Sequence, residues 1–305
     1  MNIWGFTFLL AAVIRAMWAD PATLYIWGLL MLGYLAGNFI LSRIYPNSFR
    51  RKFAIASWDE PREPILHLKE EVDIEPIEEF LQKYNTENPE AKVTMTAVFA
   101  RALGAALSRT GRTYGKIAFG QFIPLKSVDL SVAVDIAGEN IANLVLKGCN
   151  LNGIAHLAGQ MRKSVKPLKE KKDPNFNKQV STFQYVPAFL FDALMRIIIW
   201  VNYDLGIPIP FLKMPENAFG CGVLTNVSGW HVRDTFAPLV PPLMSVVTAL
   251  MNKPVERAVV RDGKIVIRKV MYLNITFDHR FADGSDADKM IRALHEVLEN
   301  PNKFV

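Results

Sequence analysis

A chain of 305 residues, half of them hydrophobic and 21% charged, is long enough for one large domain with its own core and too apolar for a disordered segment. Its formal charge of +6 suits anionic partners, yet no recognition motif accompanies the basic residues, so nucleic acid is excluded as a partner. Two isolated cysteines, Cys149 and Cys221, and five histidines without ligand spacing argue against a disulfide framework and predict no metal.

Residues 1–45 read as a membrane anchor. The first apolar run, 3–14, is short and is interrupted by Arg15, so 3–19 is either a second hydrophobic arm or an interfacial helix. The next run, 22–41, carries no charge and would be about 30 Å long as a helix, which predicts a membrane span. Tyr25, Trp27 and Tyr34 resemble interfacial aromatics, and Arg43, Arg50, Arg51 and Lys52 follow directly. The positive-inside rule then places the large C-terminal part on the cytoplasmic face, at the inner membrane of a bacterium, with membrane lipid as a partner. No basic segment or small-residue cleavage site marks a signal peptide, so the span is expected to persist. Residues 46–60 form a basic juxtamembrane linker, and 61–305 form one globular domain.

Within that domain a helix is expected over 94–108 and an inner strand over 126–135. The basic run 162–178 reads as a solvated helix face or as a contact for the phosphates of coenzyme A or lipid headgroups. The stretch 183–212 is apolar nearly all round. Pro187 suits the first turn of a helix and Gly206 its end, which predicts a helix from 187 to about 203 at a core, a subunit interface, a bilayer surface or a greasy acceptor channel. A strand over 220–226 ends in Thr225-Asn226, a buried strand over 244–251 follows Pro241-Pro242, and a hairpin over 256–268 turns at Asp262-Gly263. Glycine-rich phosphate loops and the serine-elbow pattern are missing, which disfavours nucleotide hydrolysis and serine-hydrolase chemistry.

The most informative stretch is Phe277-Asp-His-Arg-Phe-Ala-Asp-Gly284, between a β-branched, aromatic strand and a helix over 285–299. A histidine at that junction is fixed by the strand yet open on one side. An imidazole there can serve as a general base, so His279 can take a proton from a thiol or hydroxyl. Asp283 is expected to lock the turn through hydrogen bonds, and Gly284 to supply backbone angles that a side chain would forbid.

The run from Leu273 to Pro301 resembles the C-terminal signature of the acyltransferase component of 2-oxoacid dehydrogenase complexes, with chloramphenicol acetyltransferase a more distant relative. The hairpin, the Pro-Pro strand and the Thr225-Asn226 strand stand in the order this family has, and the resemblance extends over about 61–305. It implies an α/β fold, an α+β two-layer sandwich of the chloramphenicol acetyltransferase type. It also implies coenzyme A or acyl-coenzyme A as substrate, His279 as base, and Thr225 in place of a serine whose hydroxyl donates to the oxyanion. Asn226 stands beside it in register, and Asp278, Arg280 and Gly284 support the histidine; peptide condensation domains carry a second histidine where Asp278 stands. The family further implies a homotrimer or a multiple of trimers, with the histidine of one subunit meeting the hydroxyl of its neighbour. A lipoyl domain and a subunit-binding domain are not recognised, so no lipoyl group is expected on this chain and an external acyl carrier would serve it. Three functions remain open: a membrane-anchored coenzyme-A-dependent acyltransferase, an inactive trimeric membrane scaffold, and a dehydrogenase-complex subunit served by separate lipoyl carriers.

Overall fold

The computed structural model describes residues 12, 14–15, 21–45, 65–111, 113–136, 140–169, 197–212, 220–239 and 245–305. The linker expected over 46–60 lies outside them, as do most of the 3–19 arm and the first part of the 183–212 stretch. The strands are β1 (Ile65–Asp73), β2 (Gly115–Ala118), β3 (Gln121–Pro124), β4 (Leu130–Ile136), β5 (Asn140–Leu146), β6 (Gly222–Asn226), β7 (Val247–Met251), β8 (Val255–Arg261) and β9 (Lys264–Asp278). β2 and β3 make a separate hairpin. The others form one sheet in the order β1-β9-β7-β6-β4-β5, with β8 also on β9; β4, β6 and β7 pair in parallel and the other pairs are antiparallel.

Alternation along each strand assigns the two faces. Leu273, Ile275 and Phe277 of β9 join Val247, Ala249, Leu224, Leu130 and Leu146 in one core. That core is closed by helices α2 (Glu75–Glu87), α3 (Met95–Ser108), α4 (Ile154–Lys169) and α5 (Gly284–Glu299). Thr94 starts α3 by accepting the Ala97 N–H, and Gly104 lets the helix lie against the turn after β5. A Cβ at 104 would sit 2.4 Å from the Cys149 carbonyl carbon. Each fully buried Leu or Phe in this layer contributes about 1.5–3 kcal/mol.

The opposite face carries Asn274, Thr276 and Asp278 of β9 beside Thr248 and Leu250 of β7 and Val223 and Thr225 of β6. Residues 227–239 run over part of it. The Asn274 amide donates to Asp234 Oδ1 at 2.8 Å and to the Thr235 carbonyl at 2.9 Å, and the Thr276 hydroxyl donates to the Ala237 carbonyl at 2.8 Å. Lys69 and Asn274, both bonded to Asp234, hold its carboxyl below the usual carboxylate range. β9 is therefore buried on both sides from Val270 to Asp278.

The expected hairpin is present, with Asp262 at φ 50° and Gly263 at φ 74°, but its second arm and the histidine strand are one continuous strand of 15 residues. The stretch 197–212 ends its helical part in a π-helical turn, Trp200–Asp204, at Gly206 with φ 66°, where the Pro187 helix was expected to stop.

The membrane span expected over 22–41 is corrected. The segment is helical, in α1 (Pro21–Ile44), but among the described residues no helix is long and apolar enough to cross a membrane. Freedom from charge is not apolarity, and Gly28, Gly33, Gly37, Asn38 and Tyr34 dilute the run. The inner-membrane location, the cytoplasmic orientation and the lipid partner rested on that span and fall with it. α1 meets the domain at the β2–β3 hairpin, where Tyr34 and Phe119 lie 5.8 Å apart between ring centroids.

α5 is tied to β1 by His295, which lies 3.1 Å from Glu70 Oε2. That hydrogen bond raises the His295 pKa above its ordinary value. A raised folded-state pKa gives stability that is fully present below about pH 6.5 and is lost as pH rises through the folded value. The pair is expected to be worth up to about 1 kcal/mol, read as a fall in urea midpoint from pH 5.5 to 8.5 that Glu70→Gln reduces, Glu299 at 3.8 Å supplying the remainder.

Candidate active site

At the end of β9 the chain turns sharply. The Phe281 N–H donates to the Asp278 carbonyl at 3.0 Å, which makes His279 and Arg280 the central residues of a β-turn. The Asp278 carboxylate, 2% exposed, grips this turn from within. It accepts from the Arg280 backbone N–H at 2.9 Å, from Nε at 3.0 Å and from Nη2 at 2.6 Å. Arg280 is buried as well, whereas His279 between them is half-exposed. The histidine thus sits on a backbone clamped by a charge-assisted fork.

Asp283 follows as the N-cap of α5. Its Oδ1 accepts from the Ser285 and Asp286 N–H groups at 2.9 and 3.2 Å, while Asp286 Oδ2 accepts from the Asp283 N–H at 3.2 Å. This capping box is the lock expected at 283. Gly284 does not play its expected part: it is absent from the positive-φ residues and nothing lies within 4 Å of where a Cβ would stand.

Arg280→Met would leave the buried Asp278 carboxylate without its guanidinium. The expected loss is about 3–5 kcal/mol in urea unfolding, with partial recovery in Asp278→Asn/Arg280→Met.

Thr225 lies elsewhere in the same chain. It pairs with Leu250 of β7, and Leu250 pairs with Asn274 of β9. His279 is five residues beyond Asn274 along the strand. At about 3.3 Å per residue and two strand spacings of about 4.8 Å, Thr225 and His279 are roughly 15–20 Å apart. A single chain does not bring the two together. Asn226 points away from Thr225 by strand alternation; it donates to Thr96 Oγ1 at 3.0 Å and accepts the Ser228 N–H at 2.9 Å, shaping the turn after β6.

Two hydroxyls escape sequence reasoning. Asp278 N–H donates to the Val246 carbonyl, so Ser245 lies next to the residue that pairs with the start of the histidine turn. The Ser245 and Thr248 side-chain oxygens are buried without a hydrogen-bond partner among the described residues. The only signal in the sequence was a hydroxyl breaking an apolar run. Cys149 and Cys221 are buried free thiols; burial pushes Cys221 up to about 12 and Cys149 still higher, which fits small core residues and not nucleophiles. Among the described residues no cluster could hold a metal ion.

The family model of the 2-oxoacid dehydrogenases acyltransferase (catalytic domain) matches residues 50–183 and 212–305. The chain belongs to this family. The match spans well over half of the sequence and leaves the apolar stretch between its two segments unmatched. The dihydrolipoyllysine-residue succinyltransferase component of the 2-oxoglutarate dehydrogenase complex of Rickettsia felis is 41% identical over 94 residues, 31% of this chain and 23% of that protein. The chain therefore covers less than a quarter of that relative's length. Among solved structures, the cubic core of the pyruvate dehydrogenase multienzyme complex superposes with a TM-score of 0.56 at 18% identity, covering 79% of this chain and 84% of that one. A chloramphenicol acetyltransferase superposes with a TM-score of 0.52 at 14% identity, covering 82% and 96%. The two-layer α/β fold expected for the domain is thereby established, without the membrane anchor.

Proposed function

We propose that this family member is a coenzyme-A-dependent acyltransferase whose base is His279. The observation that carries the reading is the clamp on that residue: a half-exposed imidazole between two buried, mutually paired charges at the end of the best-buried strand. In this reading the catalytic unit extends over 61–305, with 183–212 as an insertion. An attacking thiol, hydroxyl or amine loses its proton to His279 while its heteroatom bonds to the thioester carbonyl carbon. The resulting oxyanion accepts a hydrogen bond from Thr225 of a neighbouring copy. Collapse breaks the carbon–sulfur bond, and the departing coenzyme A thiolate takes the proton back from the imidazolium. Asp278, Arg280 and Asp283 keep the turn in place throughout.

The separation of Thr225 from His279 within one chain favours a site shared between subunits, hence a trimer or a multiple of trimers, and the likeness to a cubic core is consistent with it. The Rickettsia felis relative favours a second reading, a dehydrogenase-complex acyltransferase that uses separate lipoyl carriers. One assay separates the two. Purified protein is incubated with acetyl-, succinyl- and long-chain acyl-coenzyme A plus dihydrolipoamide, a lipoylated carrier domain or pooled lipid acceptors, and released coenzyme A and acylated products are followed by mass spectrometry. Transfer to the lipoyl carrier alone selects the second reading. Neither turnover nor coenzyme A binding would remove both.

A further inference from the structure

The two locks on the histidine turn are local. The Asp278–Arg280 pair and the Asp283 cap each join residues no more than three apart in the chain, so they fix the shape of the turn. How the turn leans against the rest of the molecule depends on what its side chains meet. Phe281 makes the longer tie. Its N–H closes the turn on the Asp278 carbonyl, and its buried ring lies 6.1 Å from the ring of Phe122, with the two planes 77° apart. That edge-to-face contact is the arrangement aromatic pairs prefer, and it joins the turn to β3, far away in the sequence.

Phe122 is itself held in a seat. β2 and β3 stand apart from the main sheet as a hairpin of four residue pairs, with Ile117 opposite Phe122 and Gly115 opposite Pro124. A Cβ at 115 would lie 2.4 Å from Phe122 Cε2 and 2.5 Å from Cζ, so the ring takes the space that a side chain there would fill. Gly115 is absent from the positive-φ glycines, hence its missing side chain serves room and not backbone conformation. The hairpin is pinned at its tip and along β2. It turns at Phe119 and Gly120, with φ 53° and 73°, a left-handed conformation that a phenylalanine rarely adopts, and the Phe119 ring lies 5.8 Å from that of Tyr34 in α1. On β2 the Ile117 N–H donates to the Tyr203 hydroxyl at 3.1 Å, and buried Lys116 donates to the Tyr203 carbonyl at 2.8 Å. The ring of Phe281 therefore leans on a fixed abutment.

We infer that Phe122 is a positioning residue for acyl transfer: acting through Phe281, it sets the direction in which the turn presents the His279 imidazole. The inference rests on the acyltransferase reading and adds to it a residue that acts at one remove from the base. A base must stand within hydrogen-bond reach of the proton it takes, and a misplacement of about 1 Å costs about 10²-fold in rate. Removing the Phe122 ring opens a space beside Phe281 into which the turn can settle, while both local locks stay closed. The imidazole keeps its chemistry and loses its alignment. Such a loss falls on kcat, because an alignment that matters only as the proton moves leaves substrate binding alone.

The test joins kinetics to histidine NMR on the full chain, isotope-labelled at the histidine Cε1, with the His279 signal assigned from its loss in His279→Gln. It compares the wild type with Phe122→Ala, the milder Phe122→Val and Phe122→Leu, and Ile123→Ala. Ile123 is the next residue of β3, also partly buried but on the other side of the hairpin by strand alternation, so its loss controls for weakened packing. Phe122→Ala is expected to lower kcat by about 10–100-fold with the KM for acyl-coenzyme A within about twofold, and to shift or split the His279 signal while those of His67, His156, His231 and His295 hold still. Both effects should be smaller in Phe122→Val and smallest in Phe122→Leu, which refills most of the space, and Ile123→Ala should show neither. A His279 signal unmoved through the Phe122 series overturns the inference, with or without turnover. Equal losses in Ile123→Ala overturn it as well, since they mark a general loosening of the hairpin, and so does a loss confined to KM. A graded His279 shift in a protein whose wild type shows no His279-dependent turnover would uphold the tie between the two rings and sink the acyltransferase reading.

Discussion

His279→Ala is expected to lower acyl-transfer turnover by about 10²–10⁴-fold while altering stability by no more than about 0.5 kcal/mol. The two halves of this prediction come from different parts of the site. His279 is half-exposed, whereas the turn that presents it is held by the Asp278–Arg280 pair and by the Asp283 cap. Removing the ring keeps these bonds and is expected to leave the reacting proton without an acceptor. His279→Gln sharpens the result, because glutamine can hydrogen-bond but has no basic nitrogen; it should be as inactive as alanine. Single-turnover measurements with saturating acyl-coenzyme A isolate the chemical step from binding. Activity within a factor of about five of the wild type in both variants would remove His279 as the base and, with it, the reading of the clamp as catalytic.

How much of this was legible in the sequence depends on whether a feature is local. The hairpin at Asp262-Gly263 and the helix after Asp283 follow from turn chemistry and capping, and both are present. Asp278 and Arg280 are two apart on the chain, and the motif flagged both, yet only the fold reveals that they grip each other; periodicity says nothing of a turn whose carboxylate folds back on its own backbone. The role expected for Gly284 failed for a related reason, since the Asp283 cap leaves the next residue in an ordinary helical position. The strap over 227–239 was invisible because two of its bonds with Asn274 and Thr276 use main-chain carbonyls, which any residue supplies, and the third joins Asn274 to Asp234, distant in the chain. The membrane span failed because freedom from charge is a weaker condition than the length and apolarity that a span needs. Ser245 and Thr248 lay inside a run read only as an apolar strand, and only the fold shows their hydroxyls buried without a hydrogen-bond partner among the described residues.

Two inactive variants mixed together are expected to regain activity. If the histidine and the hydroxyl of one site come from adjacent copies, His279→Ala and Thr225→Val each disable every site in their own trimer, the second by removing an oxyanion donor worth about 10²–10³-fold in rate. Valine keeps the size of threonine, and Thr225 is a half-exposed strand residue, so the fold survives the change. When the variants are co-expressed or unfolded and refolded together in equal amounts, a working site needs the histidine from one kind of chain and the hydroxyl from the other. In a randomly mixed cyclic trimer that happens at about a quarter of the sites. Recovery should therefore approach about 25% of wild-type specific activity, depend on co-assembly, and disappear when the separately folded proteins are merely combined at low concentration. A site confined to one chain gives no recovery at any ratio. That outcome would return Thr225 to a structural role and direct the search for the oxyanion donor to the hydroxyls on the histidine's own subunit, with Ser245 first among them because its buried hydroxyl has no hydrogen-bond partner among the described residues and its neighbour Val246 accepts from Asp278.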